Sequence, residues 1–543
     1  MSTLPLDDTA TELQTAREWW RDAVIYQIYP RSFADSNGDG IGDFPGYTSK
    51  IPYLRQLGVD AVWLSPFYVS PQADAGYDVA DYCDVNPLFG GLDDFDEFLR
   101  TAHEVGIRVV VDLVPNHSSD EHAWFRAALA AERGSQERAR YVFREGRGAQ
   151  GELPPNNWQS NFGGPAWTRI ADGSWYLHLF DTKQPDFDWT NPEVADFFDD
   201  VLRFWLDRGV DGFRVDVAHA LIKAENLPDI DDRKKVPAGD TGPMWDQEGV
   251  HDVYRRWHAV LDEYDGDRLL VAEAWVSPPE RLARYVRPDE MHQAFNFPYM
   301  VAGWDAARLR AVIDQSIEAN ESVGAPTTWV LSNHDVVRHA SRFGLADPTS
   351  WPNGIAPDDE QPDAALGLRR ARAATLMMLA LPGSAYVYQG EELGLPEATQ
   401  LPADVRQDPT FARTGGAEAG RDGCRIPLPW VKDAPAFGFG PSADVWLPQP
   451  DSYGPLAADQ QVDDPSSTYS LYRTALELRA RYGLGSGSLA WDADGFGFTN
   501  GSVRVVSNFG TSPVGVDGEI LVSSDGTAGP TLAQDATAWV LVP

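Results

Sequence analysis

Four short stretches end in side chains that acid–base chemistry uses. "GFRVDVAH" (212 to 219) carries Arg214 and Asp216, "LLVAEAW" (269 to 275) carries Glu273, "WVLSNHD" (329 to 335) carries His334 and Asp335, and "RVVVDLVP" (108 to 115) runs into Asn116 and His117. Each is apolar and β-rich, so each reads as a buried strand with its polar residues at the C-terminal end. Arg214 and Asp216 are two apart and share one strand face, while Phe213 and Val215 take the other. Three carboxylates and a guanidinium are costly to bury unless they converge on a substrate or an ion. The chain shows no phosphate-cradling loop, no metal-type His and Cys spacing and no nucleophile elbow, which leaves glycoside chemistry as the class these acids suit. That reaction needs an ionised carboxylate to attack the anomeric carbon and a protonated acid to release the leaving oxygen. Arg214 is expected to keep Asp216 ionised, and the apolar setting of Glu273 to raise its pKa.

The elements that must position these groups follow from the same periodicity. Apolar runs recur at 23–30, 61–66, 108–115, 212–219, 269–275, 294–299, 329–335 and 384–390, separated by segments with helical spacing. Eight strands alternating with helices predict an α/β fold, a closed parallel (β/α)8 TIM barrel whose active site lies at the C-terminal ends of the strands. The long gap after the third run, rich in Gly, Pro, Asn and Trp ("GELPPNNWQSNFGGPAW"), predicts an inserted domain. Leu471, Ala475 and Leu478 mark a last barrel helix, and "SVRVVSNFG", "GEILVSS" and "TAWVLVP" alternate like antiparallel strands. The expected division is a barrel at 1–117 and 201–484, an inserted domain at 118–200, and a C-terminal β-sandwich at 485–543.

Composition narrows the partners. Of the 543 residues, 82 are Asp or Glu and 44 Lys or Arg, a net charge of −38 that repels phosphate backbones and anionic bilayers. No nucleic-acid or membrane partner is expected, and no organic cofactor. Two cysteines, Cys83 and Cys424, are too few for a disulfide framework or a zinc cluster and suit a reducing compartment. "MSTLPLDDTATELQ" lacks the basic start and apolar run of a leader, so the expected location is the cytoplasm.

The stretch "ADSNGDGIGDF" (34 to 44) spaces Asp35, Asn37, Asp39 and Asp43 around glycines as a calcium loop does. An EF-hand needs a bidentate glutamate at its twelfth position, and here that position is Gly46. Two readings remain open on spacing alone, a smaller oxygen site or a polar surface turn.

The strand-end motifs together resemble the α-amylase superfamily, family thirteen of the glycoside hydrolases, from about residue 19 to the end. "DLVPNH", "GFRVDVAH", "AEAW" and "LSNHD" stand in the order of its four main short regions. The resemblance implies that Asp216 is the nucleophile, Glu273 the general acid and base, and Asp335 the third, transition-state carboxylate. A finer resemblance, through "QPDFDW", "DSNGDGIGDF", "NNWQSNFGGPAW" and "GRDGCRIPLPW", is to the oligo-1,6-glucosidase and α-glucosidase branch. There Asp78 and Arg425 would hold the terminal glucose as a pair. Tyr77 of "GYDVADY", Phe162 of the inserted segment, His117, Arg214, His334 and Val217 would line the same pocket. The opening loop would hold a structural Ca2+, or Mg2+, on Asp35, Asn37, Asp39, the backbone of Ile41 and Asp43. "IPL" stands where the branch usually has "TPM", and Val217 sits where the branch varies with linkage preference. Short α-1,4 oligosaccharides are favoured over α-1,6, with glucosyl transfer to acceptors as a side reaction, by a monomer or homodimer. The rivals are a transferase or isomerase such as trehalose synthase or a sucrose-directed enzyme, an endo-acting α-amylase, and a non-catalytic scaffold.

Overall fold

The computed structural model describes residues 18–230 and 242–542, so the stretch in which no leader is read lies outside the described residues. Eight parallel strands form one sheet: β1 (Val24–Ile28), β2 (Ala61–Leu64), β3 (Arg108–Leu113), β4 (Gly212–Val215), β5 (Leu269–Ala272), β6 (Gln293–Ala294), β7 (Thr328–Val330) and β8 (Ser384–Tyr388). Each lies beside its neighbours in sequence, with β8 beside β1. The ring closes between β6 and β7, where Phe295 bridges Thr328 and the Asn296 N–H donates to the Thr328 carbonyl at 3.1 Å. Closure leaves no sheet edge unpaired.

Strands buried on both faces need apolar side chains in both directions, and the chain supplies them. Inward-facing Ile25, Trp63, Val110, Val271, Phe295 and Tyr386 fill the barrel, with Trp63 and Phe295 rings 5.6 Å apart and Phe295 and Tyr386 4.7 Å apart. Outward residues meet the helices. In Leu92–Glu104 the buried face is Phe95, Phe98, Leu99 and Ala102, and the Asp94 carboxylate accepts the Gly91 N–H to cap the first turn. Thr468–Tyr482 buries Leu471, Ala475 and Leu478 as their spacing predicts.

The sixth run departs from expectation. Only Gln293–Ala294 is strand, and Phe297–Val301 is a short helix capped by the Asn296 side chain, which accepts the Tyr299 N–H, with Pro298 in its first turn. A proline has no N–H for a central strand but suits a helix start, and an asparagine cap before it completes the signal. Between β3 and β4 stand the helix Ala123–Ala130 and an antiparallel sheet in which Ser174–Leu177 lies between Phe143–Glu145 and Trp167–Arg169. The helix Pro192–Asp207 runs through the boundary drawn at residue 200. Its Trp205 packs on Phe67 and Phe95 of the barrel, so it belongs with the barrel helices. After the last helix, Leu489–Trp491, Phe496–Asn500, Val503–Asn508, Ala536–Leu541 and Glu519–Ser523 form a five-stranded antiparallel sheet in that spatial order. Both cysteines are free. No helix among the described residues is long and apolar enough to cross a membrane.

Barrel closure leaves little room at the start of β8. Gly383 has φ +103° and an added Cβ would lie 2.0 Å from the Thr327 carbonyl oxygen. Gly383→Ala therefore meets a left-handed backbone cost of about 1–3 kcal/mol and a steric clash together. A clearly lower apparent melting temperature is expected, and an unchanged melt would contradict the strand packing described here.

Candidate active site

At the C-terminal mouth of the barrel one guanidinium organises three acids from three adjacent strands. Arg214 of β4 reaches Asp112 of β3 at 2.9 Å, Asp216 just past β4 at 2.8 Å and Glu273 just past β5 at 3.0 Å. Its guanidinium carbon lies 5.0 Å from the centre of the Trp63 ring, so the aromatic filling of the barrel is also the floor of the site. Arg214 and Asp112 are fully buried, whereas the side chains of Glu273 and Asp335 keep 14% and 30% exposure. The acids that can meet a substrate are thus Asp216, Glu273 and Asp335, with Asp112 beneath them.

The electrostatics differ from the simple expectation. Burial pushes the Asp216 carboxyl well above the usual carboxylate range, with Arg214 opposing it and the other acids adding to it. Burial likewise pushes Asp112 up to about 7 against the pull of Arg214. One positive charge does not offset the burial of both Asp112 and Asp216, so that pair holds a proton more readily than ordinary carboxylates do. Asp335 behaves in the opposite way. Against the cost of burial, the guanidinium groups of Arg421 and Arg425 hold it far below the usual carboxylate range.

Backbone geometry fixes Glu273. The Val217 N–H donates to Glu273 Oε2 at 2.9 Å and the Ala218 N–H to the Glu273 carbonyl at 2.8 Å. Val217 reaches this position with φ +44°, an unusual conformation for a β-branched residue. One carboxylate oxygen is occupied and the other is left for chemistry.

His334 and Tyr77 line the next wall. The Gln27 amide nitrogen lies 2.6 Å from His334 Nδ1, and the Tyr77 hydroxyl lies 2.6 Å from His334 Nε2 and donates to Asp112 at 3.1 Å. Burial holds His334 well below the ordinary histidine range, so it is neutral. His117 lies between the amides of Asn116 and Gln184, 3.1 Å from each, and burial lowers its pKa to about 4.

The pair expected between Asp78 and Arg425 is not made. Asp78 is buried and spends both oxygens on its own turn, accepting from Ser70 Oγ at 2.9 Å, the Asp74 N–H at 3.0 Å and the Ala73 N–H at 2.8 Å. Asp74 takes its place, 2.8 Å from Arg421. Two aspartates stand in one turn, and left-handed Ala75 (φ +51°) and Gly76 (φ +104°) reverse the chain so that Asp74 points into the site. Arg421 also reaches Asp335 at 3.0 Å and pairs with Asp408. Arg425 reaches the site through Asp335 at 2.9 Å. Phe162 is buried, its ring 5.3 Å from the Arg421 guanidinium. Asp112, Asp74, Arg421, Gln184 and Lys223 are members that sequence reasoning missed. Lys223 lies 2.9 Å from Asp186 and donates to Asn116 at 2.7 Å. Arg421 was visible as the first arginine of "GRDGCR".

The opening loop folds as linked turns. Asp35 accepts the N–H groups of Asn37, Gly38 and Gly40, Asn37 that of Asp39, and Asp39 that of Ile41. Asp43 turns away to Ser36 and caps the helix Phe44–Leu57 through the Gly46 N–H at 2.7 Å. Among the described residues no three acidic, histidine or cysteine side chains converge as an ion site. Asp35, Asn37, Asp39, Asp43 and the Ile41 carbonyl offer the hard oxygens that small divalent cations take.

The family model described as "Alpha amylase, catalytic domain" matches residues 27–486. A probable alpha-glucosidase of Rhizobium meliloti (strain 1021) is 38% identical over 495 residues, covering 87% of this chain and 84% of that relative. Among solved structures, the alpha-glucosyl transfer enzyme XgtA superposes with a TM-score of 0.84 at 35% identity, covering 97% of this chain and 99% of that one. The trehalulose synthase MutB from Pseudomonas mesoacidophila MX-45 does so at 0.83 and 30% identity, covering 97% and 99%.

His219 sits directly behind this site. It is buried, and its ring stacks on Trp245 with centroids 5.0 Å apart. Burial lowers its pKa to about 3, against a hydrogen bond to the Glu273 backbone that raises it. A folded-state pKa below the unfolded value of about 6.5 means that its stabilisation is complete above that pH and is lost as pH falls toward 3. His219→Phe removes the titration, so its melting temperature should gain on the wild type progressively as pH drops from 7 to 4. A constant difference across that range would show that His219 does not titrate as described.

Proposed function

Since the chain belongs to the α-amylase family of glycoside hydrolases, we propose that it is a retaining, exo-acting α-glucosidase that releases α-glucose from the non-reducing end of short α-glucosides. The observation that carries this reading is the single Arg214 guanidinium joined to both Asp216 and Glu273. A shared guanidinium favours the shorter of the two carboxyl spacings used by glycosidases, roughly 5–5.5 Å, which belongs to double displacement. Asp216 attacks the anomeric carbon while Glu273 protonates the leaving oxygen, and Glu273 then deprotonates the water that frees the sugar. In this mechanism Glu273 delivers the proton that the leaving oxygen takes, and it is the more exposed of the two. Asp335, kept ionised by Arg421 and Arg425, faces the positive charge that develops at the anomeric centre.

Exo action rests on the Asp74–Arg421 pair and Phe162, which wall off one end of the site. Tyr77, His117, Arg214, His334, Arg425 and Val217 complete the glucose site, and Asp78 supports it from behind through the Asp74 turn. Maltose-like α-1,4 substrates are favoured over α-1,6. The likeness to a glucosyl transfer enzyme and to a trehalulose synthase over nearly the whole chain favours a second outcome at the same centre, in which a sugar hydroxyl replaces water.

Maltose, isomaltose, sucrose and trehalose, each followed by proton NMR from the first minutes, should show α-glucose before mutarotation, with maltose fastest. Asp216→Asn should cut turnover by roughly 10⁴-fold or more with an unchanged fold. β-Glucose as first product, or an active Asp216→Asn, would overturn the mechanism.

The same reading gives the opening loop a structural divalent cation, Ca2+ or Mg2+, on Asp35, Asn37, Asp39, Asp43 and the Ile41 carbonyl. At a hundredfold excess over its dissociation constant such an ion stabilises by about 2.7 kcal/mol. EDTA should lower the apparent melting temperature, calcium should restore it, and Asp39→Ala should remove the effect. A chelator-insensitive wild type rules the ion out.

A further inference from the structure

Three groups beyond the pocket join the inserted domain to the barrel loop that carries Arg421. Arg413 Nη1 lies 3.2 Å from Asp181 Oδ2, and Arg413 Nη2 donates to the Gly163 carbonyl. The side chains keep 21% and 16% exposure, so the contact is largely shielded from water. Both ends lead inward. Gly163 follows Phe162, whose ring lies 5.3 Å from the Arg421 guanidinium. The Asp181 N–H donates to Gln184 Oε1 at 2.9 Å, and the Gln184 amide donates to Asp74 at 3.2 Å and lies 3.1 Å from His117. On the barrel side, Asp408 caps the helix Pro409–Arg413 by accepting the Thr410 N–H at 2.7 Å. It accepts the Arg421 N–H at 2.9 Å with its other oxygen.

Resting on the glucosidase reading above, we propose that Arg413 with Asp181 and Gly163 is a latch that holds the outer wall of the glucose site in register. Arg413 is a positioning residue: it sets where Phe162 and Gln184 stand, and through them the Asp74–Arg421 pair, without touching the sugar. A planar guanidinium can serve the Asp181 carboxylate and the Gly163 carbonyl at once, which a lysine ammonium on a flexible stem does less well. The inserted domain and the loop after β8 come from distant parts of the chain, so the wall between them has no backbone ladder to align it. The latch supplies that alignment.

The test compares wild type with Arg413→Ala, Arg413→Lys and Asp181→Asn. Binding of 1-deoxynojirimycin, a glucose-shaped iminosugar, is measured by calorimetry, and turnover with 4-nitrophenyl α-glucoside. Arg413→Ala should bind the iminosugar about tenfold more weakly, well inside the roughly hundredfold loss that an ångström of misplacement can cause. KM should rise by a similar factor and by more than kcat falls, and Arg413→Lys should lie between. Asp181→Asn keeps the turn and removes the charge, so it reports on the latch even if Arg413→Ala fails to fold. Unaltered binding in these variants, or losses that merely track a lowered melting temperature, would overturn the latch. A wild type that binds the iminosugar without hydrolysing the glucoside sinks the glucosidase reading and leaves the latch to be judged by binding. A wild type that does neither overturns both.

Discussion

One cation shared by three buried acids is the constraint from which the rest of the site follows. Arg214 faces Asp112 across the β3–β4 ladder and reaches Glu273 past β5, so the cluster exists only because three neighbouring strands are held in parallel register. A guanidinium with that many partners cannot leave its place without stranding buried charges, which costs several kcal/mol. The Trp63 ring beneath it denies water an alternative. The barrel therefore does more than present loops. Its ladder hydrogen bonds set how far apart Asp216 and Glu273 stand.

A second set of charges balances the first. Asp74, Asp335 and Asp408 meet Arg421 and Arg425 on the loops of the same mouth. Counting both sets, six acids face three arginines, so the acids outnumber the cations at the mouth even with protons held on the Asp112 and Asp216 pair. A neutral sugar gains little from such a field, whereas a sugar carrying positive charge at its anomeric carbon gains much. The neutral His117 and His334 add no positive charge to that balance.

Most of the barrel was legible because strands buried on both faces have to be apolar runs of limited length, and the acids that interrupt those runs stand out. Asp216, Glu273 and Asp335 were legible for that reason, and so was Arg214 through its spacing from Asp216. The length of β6 is overread because Phe295, Phe297 and Tyr299 alternate as the residues of a strand do, although Asn296 and Pro298 spell a helix start. The exchange of Asp78 for Asp74 had a different origin. Both aspartates sit in one turn, and which of them faces the site depends on left-handed torsions at Ala75 and Gly76 that local residue type does not encode strongly. Asp112 was hidden within an ordinary-looking strand, its importance set by a partner 102 residues away.

The reactive pair and the pocket wall are built by different means. Strands β3 to β5 carry Asp112, Arg214 and Glu273 on or directly beyond a hydrogen-bonded ladder, where a shift of one residue would turn every side chain to the opposite face. The wall is assembled from the turn at Asp74, the inserted segment at Phe162 and Gln184, and the loop at Arg421, joined only through side chains. Side-chain contacts between loops can be exchanged without disturbing the ladder. An identical hydrolytic centre can therefore sit behind walls of different shape. Architectural likeness to proteins described as glucosidase, glucosyl transfer enzyme and trehalulose synthase is what such a division of labour produces. On the proposed mechanism, the choice between water and a sugar as acceptor depends on how tightly the wall excludes water while the glucosyl group is held on Asp216.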